Sequence, residues 1–350
     1  MKAKRIVSIL LTGSMLLSLL PVSALAAAPV FDAPAQTTAK KAAPLVQEAD
    51  ASRSTEEEAA TRSSRDLDAE NGTAESFTIQ LNADGTPTES GDDDHWHYDP
   101  NSNGRLYLTE GVFTLQPSKE PNAESALQVV ELNIEQKADF AGGTVGRLTY
   151  NCGTISNGTF QGYVYNGYSY DDDGEFIPGV ILDGTFQGEV TNDGVISGGL
   201  FQGTVYNYEI ISNGNFQGDV RNYRTISGGT FEKDMTLMNY DAPITIKDGL
   251  FDGAVVTGGC NRPLSISGGL FTKAVNLSSI DPTNLQITGG YFVSKPTVPE
   301  GSDTTFATVS DRNYRAFKVP VNGDFSENRY NSLYVPCGSS EQPNTITVKT

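Results

Sequence analysis

Residues 196–207 read ISGGLFQGTVYN, and residues 211–222 read ISNGNFQGDVRN. The shared core of the two stretches, Ile-x-x-Gly-x-Phe, recurs at intervals of 26, 15, 15, 15, 20, 20 and 21 residues. Its eight copies begin at Ile155, Ile181, Ile196, Ile211, Ile226, Ile246, Ile266 and Ile287. An outlying copy, LTEGVF, begins at Leu108, and VVELNIEQKADFAGG from Val129 is a degenerate coil. Self-similarity at such periods is typical of a repeat architecture.

Numbering the fifteen-residue unit from its Ile places Phe at position 6, Val at position 10 and Asn at position 12. Positions 6, 8, 10 and 12 are predicted to share one face of a strand, because side chains alternate along a strand. Frequent glycines and β-branched residues exclude helices. One coil cannot bury its own apolar face, so coils must stack. The sequence therefore predicts an all-β protein: a parallel β-solenoid (β-helix) of about 8–10 coils.

Stacking turns each repeat position into a ladder along the solenoid axis. The Ile and Phe positions are predicted to form buried ladders, and an Asn ladder is predicted to point inward and satisfy turn carbonyls. Gly at position 8 is predicted to leave room for the Phe rings. The glutamines at position 7 are predicted to point outward and to pair their amides along the ladder. They are Gln161, Gln187, Gln202 and Gln217.

The rest of the chain divides by composition. Residues 1–26 have the basic start, apolar middle and small-residue end of a secretory signal, which predicts an extracellular, secreted or cell-surface protein with no membrane insertion after processing. Residues 27–75 are poor in large apolar side chains and are predicted to be a disordered linker. N-terminal strands forming a hairpin cap are expected over 76–128, repeats over 129–292, and a C-terminal cap or the start of a further segment over 293–350. The insertion 167–180 should bulge as a surface loop, and the coil should lengthen from Met235 onward.

Charge and cysteine content narrow the function. A formal net charge of −19 argues against nucleic acid or an anionic membrane as partner, since both would repel the chain. Cys152, Cys260 and Cys337 show no metal-ligand spacing and do not indicate a disulfide framework. The oligomeric state stays open.

The stretch WHYDPNSNGRLYLTEGVF stands ahead of the ISGGTF-like copies. Together, over residues 96–295, they resemble exported Gram-positive bacterial surface proteins that carry such repeats. The resemblance implies a β-helix and, because these solenoids occur in adhesins, glycan binders and lyases alike, leaves the activity open.

Three short stretches are weighed as metal sites. DPNSNGRLYLTE matches the spacing of a calcium loop, but its strand-like flanks favour a hairpin turn. Its oxygen donors would be Asp99, Asn101, Asn103 and Glu110. Side-chain alternation in DDDHWHYD places His95, His97 and Asp99 on one face of a strand. This face is interpreted either as a transition-metal site or as an ordinary polar surface. DDDGEF, residues 171–176, is interpreted as a solvated loop rather than a calcium site. No cofactor is predicted, with Ca²⁺ as the alternative.

The outer positions supply the functional candidates. Position 9 carries Glu189, Asp219 and Asp234, and two carboxylates one coil apart are compatible with polysaccharide cleavage as a lyase or glycoside hydrolase. Positions 11 and 13 carry exposed aromatic groups beside the Gln row, which suits binding of a glycan or surface protein. These binding candidates are Tyr165, Tyr206, Tyr208, Tyr223, Gln187, Gln202 and Gln217. Binding or adhesion without catalysis is the preferred hypothesis; the alternatives are an enzyme and a non-binding stalk.

Overall fold

The computed structural model describes residues 74–102, 104–117, 129–171, 173–239, 241–310 and 316–337. These residues form a parallel β-solenoid, which confirms the predicted fold class. The predicted signal segment, and the linker apart from residues 74 and 75, lie outside the described residues.

Each repeat coil contains three short strands, and stacking builds three faces. The first face consists of Thr154–Ile155, Val180–Ile181, Val195–Ile196, Ile210–Ile211, Thr225–Ile226, Ile244–Ile246, Leu264–Ile266 and Leu285–Ile287. The second face consists of Thr159–Phe160, Thr185–Phe186, Leu200–Phe201, Asn215–Phe216, Thr230–Phe231, Leu250–Phe251, Leu270–Phe271 and Tyr291–Phe292. The third face consists of Tyr163–Asn166, Val190–Asn192, Val205–Asn207, Val220–Asn222, Met235–Asn239, Val255–Cys260 and Val275–Asn276.

The predicted Ile and Phe ladders are confirmed. Ile196 pairs in parallel register with Ile181 on one side and Ile211 on the other. The rings from Phe160 to Phe292 stack with centroids 4.5–4.9 Å apart and interplanar angles of 4–9°. This separation matches the spacing between neighbouring strands of a sheet, about 4.8 Å. The solenoid interior is therefore a continuous apolar core.

The asparagine ladder is also confirmed. Asn151, Asn166, Asn192, Asn207 and Asn222 are fully buried. The side-chain amide of each of the first four donates to the amide oxygen of the next asparagine at 2.6–2.7 Å. The same amides also donate to turn carbonyls, so the ladder satisfies polar groups that would otherwise be buried without a partner.

The path between the Phe and Val positions differs from the prediction. Positions 6 to 12 do not form one strand, because the chain bends at position 8 between the second and third faces. A Cβ added at Gly203, in that bend, would overlap the backbone carbonyl of Gly188 on the preceding coil. The glycine at position 4 is the one that lies against the Phe rings, as at Gly199, which has φ +104°. Position 8 is glycine because neighbouring coils approach closely there.

The N-terminal coils are in a different register from the one that the motif predicts. LTEGVF would place Phe113 at position 6, but Phe113 pairs with Phe140, which in turn pairs with Ile155 at position 1. Leu108 follows the asparagine ladder instead, opposite Ile134. Ten rungs therefore share the position-1 ladder from Phe113 to Ile287.

The predicted N-terminal hairpin is present. The strand Trp96–Asp99 runs antiparallel to Arg105–Gln116, and Ser76–Gln80 pairs in parallel with the far end of that long strand. The remaining strands before the first Ile copy are Val129–Gly142 and Thr144–Asn151.

The segment after Phe292 caps the end and also folds back along the second face. Phe306 meets the terminal Phe292 edge-on at 5.7 Å. Phe317, Val319 and Val321 pack over Leu270, and Asn322 exchanges hydrogen bonds of 2.9 and 3.0 Å with the backbone of Gly229. We call residues 316–337 the strap. The strands of this segment are Phe306–Ser310, Pro320–Val321, Asp324–Phe325 and Ser332–Pro336. A 3₁₀ turn at Pro282–Asn284 lies earlier, within the repeats.

The coil lengthens from Met235 as predicted. The third-face strand grows from three residues in Val205–Asn207 to five in Met235–Asn239 and six in Val255–Cys260. Leu237 takes the place next to Asn222, so the asparagine ladder ends there.

Candidate ligand-binding face

The third face presents two neighbouring outer rows of side chains. Strand register aligns one row at position 11: Tyr107, Asn133, Tyr150, Tyr165, Thr191, Tyr206, Arg221 and Thr236. The other row, at position 13 beyond the asparagine ladder, contains Cys152, Gly167, Asp193, Tyr208 and Tyr223. The structure therefore brings together the four predicted tyrosines, Tyr165, Tyr206, Tyr208 and Tyr223. We call these two rows the tyrosine rows.

The tyrosine rings stack on neighbouring groups along the axis. Tyr208 and Tyr223 are nearly parallel, with centroids 4.4 Å apart and an angle of 18° between planes. The Arg221 guanidinium lies over the Tyr206 ring at 5.2 Å. Each of these rings thus has one face covered, and the rows present mainly ring edges and hydroxyls to a ligand. Burial and the neighbouring Tyr223 raise the pKa of Tyr208 to about 12, so its hydroxyl stays protonated at neutral pH.

Tyr165 crosses from one row to the other. Its hydroxyl donates to Asp193 Oδ2 at 2.6 Å, and its ring meets Tyr150 in an edge-on contact at 6.2 Å. Burial and the Asp193 carboxylate raise the pKa of Tyr165. A Cβ on Gly167 would press into the Tyr165 ring, which explains the glycine where the insertion begins.

The insertion is a β-hairpin rather than an irregular loop. Tyr168–Tyr170 pairs antiparallel with Phe176–Pro178, and the Asp171 carboxylate accepts the backbone N–H groups of Asp173 and Glu175 across the turn. These hydrogen bonds give Asp171 a turn-stabilising role in the stretch weighed as a calcium site; Asp172 lies outside the described residues. We call residues 168–178 the hairpin.

The hairpin carries an exposed aromatic cluster that the sequence interpretation missed. Tyr168, Tyr170 and Phe176 are 41%, 61% and 39% exposed, respectively. Their rings contact one another with centroid distances of 5.0–6.2 Å. Two of the three contacts are edge-on, so these rings are not stacked like those of the tyrosine rows. The signal available in the sequence was the placement of aromatic residues on both sides of an Asp/Gly turn, YSYDDDGEF.

The predicted glutamine row lies at the bend between the second and third faces. Gln187 and Gln202 are exposed, and Gln217 is half-buried. The side-chain hydrogen bonds of the described residues include none among these three glutamines. The expected amide pairing is thus not formed among these three, whereas Gln161, the fourth member of the predicted row, has an interaction partner.

The position-9 carboxylates are exposed to solvent. Glu189, Asp219 and Asp234 are all exposed, and Asp234 Oδ1 accepts the backbone N–H of Ala254 at 2.9 Å. Two surface clefts of about 350 and 400 Å³ lie along other parts of the solenoid, and none of these carboxylates lines them.

The N-terminal candidate ligands have protein partners. Asp99 accepts hydrogen bonds from the Asn101 backbone and the Ser102 hydroxyl, as in a turn, while Glu110 lies within the next strand, 3.4 Å from Lys137. Asn103 lies outside the described residues.

The two histidine rings contact different strands. His95 is 2.8 Å from Asp92 and packs on Phe77, whereas His97 stacks on Tyr107. Within the described ranges, no three His, Cys, Asp or Glu side chains are grouped to hold a metal ion. The three cysteines are free thiols, with Cys152 half-buried, Cys260 buried and Cys337 exposed.

The fold and this face define a β-solenoid with an aromatic surface on one side. Comparison with protein-family models, curated proteins and solved structures finds no match for the chain. The part of the chain that the structure describes contains no helix with the length and apolarity needed to cross a bilayer.

Proposed function

We propose that the protein is an exported, extracellular or surface-associated β-solenoid that binds a glycan through the tyrosine rows and the hairpin, without catalysis. The observation that carries the proposal is the exposed cluster of Tyr168, Tyr170 and Phe176. Solvent-exposed aromatic rings lose hydration favourably when a ligand covers them, and their polar tips supply hydrogen bonds.

The surroundings of this cluster suit a carbohydrate. The adjoining tyrosine rows carry hydroxyls, and Gln187 and Gln202 are exposed at the bend where the third face begins. A sugar needs both an apolar ring to stack on and several hydrogen-bonding groups for its hydroxyls. The hairpin supplies the ring surface, and the rows supply the polar groups at a repeat of about 4.8 Å.

Export is part of the proposal and rests on the signal-like pattern of residues 1–26. A protein in that compartment meets glycans of other cells and of its own cell wall. Mass spectrometry of the N-terminus of protein recovered from the medium or the cell surface tests export; recovery of uncleaved protein only from the cytoplasm would refute it.

Binding is tested on a glycan array with the double variant Tyr170→Ala/Phe176→Ala. Both side chains are exposed, so the fold should survive while the array signal falls about tenfold or more, the consequence of losing about 1.4 kcal/mol of contact. Leu182→Ala is the matched control, because Leu182 is also 41% exposed but lies outside the third face.

A second variant addresses the rows. Replacing Tyr165, Tyr206, Tyr208 and Tyr223 by Ala should abolish the signal, with far-UV circular dichroism reporting retention of the solenoid. Unchanged array binding by both variants would refute the proposal. No binding to any glycan by the unaltered protein would favour the non-binding stalk instead.

A further inference from the structure

Asp193 lies next to the base of the hairpin. The backbone N–H of Asp193 donates to the Asn166 carbonyl at 2.7 Å, which places it directly after Gly167 in the position-13 row. Gly167 and Gly179 close the base of the hairpin through a 2.7 Å hydrogen bond. A Cβ on Gly194 would overlap the Gly179 carbonyl, so the hairpin base and the Asp193 turn are in direct backbone contact.

One aromatic side chain contacts this carboxylate, and others lie near it. Tyr165 donates its hydroxyl to Asp193 Oδ2 at 2.6 Å. Tyr208 follows Asp193 in the same row and is 39% exposed, while Tyr168 begins the hairpin directly after Gly167. Beyond burial, the Asp193 charge contributes to raising the pKa of Tyr163 and of Tyr208, so both rings lie within its field.

The basic groups on this part of the third face have other partners. Arg221 lies over Tyr206, and Arg224 is 3.9 Å from Glu209. Among the described contacts, the side-chain partner of Asp193 is the neutral Tyr165 hydroxyl. Asp193 is half-buried, and within the described residues its second carboxylate oxygen, Oδ1, has no hydrogen-bond partner.

A carboxylate beside aromatic rings is a combination that recognises a cation. The charge attracts an ammonium group directly, and the open face of a neighbouring ring adds cation–π attraction within about 6 Å. The formal net charge of −19 strengthens the preference for a cationic over an anionic ligand.

We propose that Asp193, with Tyr165, Tyr168 and Tyr208, forms a subsite for a protonated amino group, so that the ligand is a glycan with free amino sugars. This inference rests on the proposed function and specifies its ligand class. It also separates the protein from binders of uronic-acid polysaccharides, whose charge has the opposite sign.

The test compares two oligosaccharides of equal length, a glucosamine oligomer and its fully N-acetylated form, by isothermal titration calorimetry below the pKa of the amine. The full-length protein should bind the free-amine oligomer about tenfold or more tightly than the acetylated one. Asp193→Asn should reduce that ratio to near one, because Asn keeps an acceptor for the Tyr165 hydroxyl but removes the charge.

Two matched variants separate charge from structure. Asp303→Asn removes one exposed carboxylate far along the chain in the C-terminal segment and should leave the ratio unchanged. Tyr165→Phe removes the hydrogen bond to Asp193 while keeping the carboxylate, and should retain the preference for the amine.

The outcomes distinguish the two proposals. Equal binding of both oligomers, or a preference that survives Asp193→Asn, overturns the amine subsite while leaving the glycan-binding face in place. Binding of a lysine-rich peptide in preference to both oligomers overturns the glycan assignment and indicates a protein ligand. Failure of both oligomers and of the full array refutes the proposed function itself.

Discussion

Replacing Asn207 by Leu interrupts the asparagine ladder at an interior rung. Asn207 Oδ1 accepts from Asn192 at 2.7 Å, and its Nδ2 donates to Asn222 at 2.7 Å, to the Thr225 carbonyl at 3.2 Å and to the Glu209 carbonyl at 3.3 Å. The variant leaves Asn222 Oδ1 and the Thr225 carbonyl without these donors. At about 1–3 kcal/mol for each of these two buried groups that loses its partner, the free energy of unfolding should fall by about 2–6 kcal/mol.

Asn222→Leu provides the internal comparison. Asn222 is the last rung, and the next coil already places Leu237 in register with it. Its amide donates to the Arg224 carbonyl at 3.0 Å, and its loss leaves Asn207 two carbonyls to donate to. This variant should therefore cost about 1–2 kcal/mol, roughly half the interior cost.

Urea denaturation of both variants, followed by circular dichroism, measures the difference through the midpoint at unchanged slope. The reasoning predicts a larger loss at Asn207 than at Asn222. Equal losses, or a loss below about 0.5 kcal/mol at Asn207, would refute the claim that continuous amide pairing stabilises the interior.

Three further predictions concern the coils, the N-terminal hairpin and the strap. Gly203→Ala should lower the free energy of unfolding by about 3 kcal/mol or more, because its Cβ would overlap the backbone of the preceding coil. The control Gly142→Ala meets only ordinary contacts and should change that free energy by no more than about 0.5 kcal/mol. Denaturant titrations measure both, and similar losses would contradict the close approach of the coils at Gly203. The hydrogen bond that the His95 ring donates to the Asp92 carboxylate raises the pKa of His95 above its ordinary 6.5. The stabilisation from this pair is therefore fully present below pH 6.5 and is lost as pH rises through the folded-state pKa. NMR titration of Asp92→Asn should show a lower His95 pKa, and an unchanged value would contradict this pairing. Val319 is a fully buried residue of the strap, so Val319→Ala should lower the stability of the strap by about 1–3 kcal/mol. Limited proteolysis should then cleave the strap faster while the stacked coils stay intact. An unchanged cleavage rate would show that this contact does not hold the strap in place.

The ladders were predictable because identical positions must stack in any solenoid, whatever the path of the chain between them. Ile196 and Phe201 are therefore assigned from the period alone. The register of Phe113 was not predictable, because a large apolar side chain fits either buried ladder. Pairing of the long strand Arg105–Gln116 with Val129–Gly142 decides it, through backbone hydrogen bonds that a six-residue motif does not reveal.

The candidate binding surface also has a part that the sequence predicts and a part that it does not. Alternation predicts that Tyr206 and Tyr208 project outward, and the structure places them on one face. It does not predict that Tyr208 stacks on Tyr223 and covers one of its faces, since ring orientation depends on the neighbouring coil. Nor does it predict the aromatic cluster of the hairpin, because antiparallel pairing across the turn brings Tyr168 and Phe176 together.

The repeat by itself determined the architecture: the period, the inward Ile, Phe and Asn ladders, and the outward Gln and Tyr positions follow from side-chain alternation and the need to stack. Tertiary structure alone decided the bend at position 8, the course of the strap along the second face, and the meeting of the hairpin base with Asp193. Those features depend on contacts between residues distant in sequence, such as Asn322 with Gly229, whose partners no local pattern specifies.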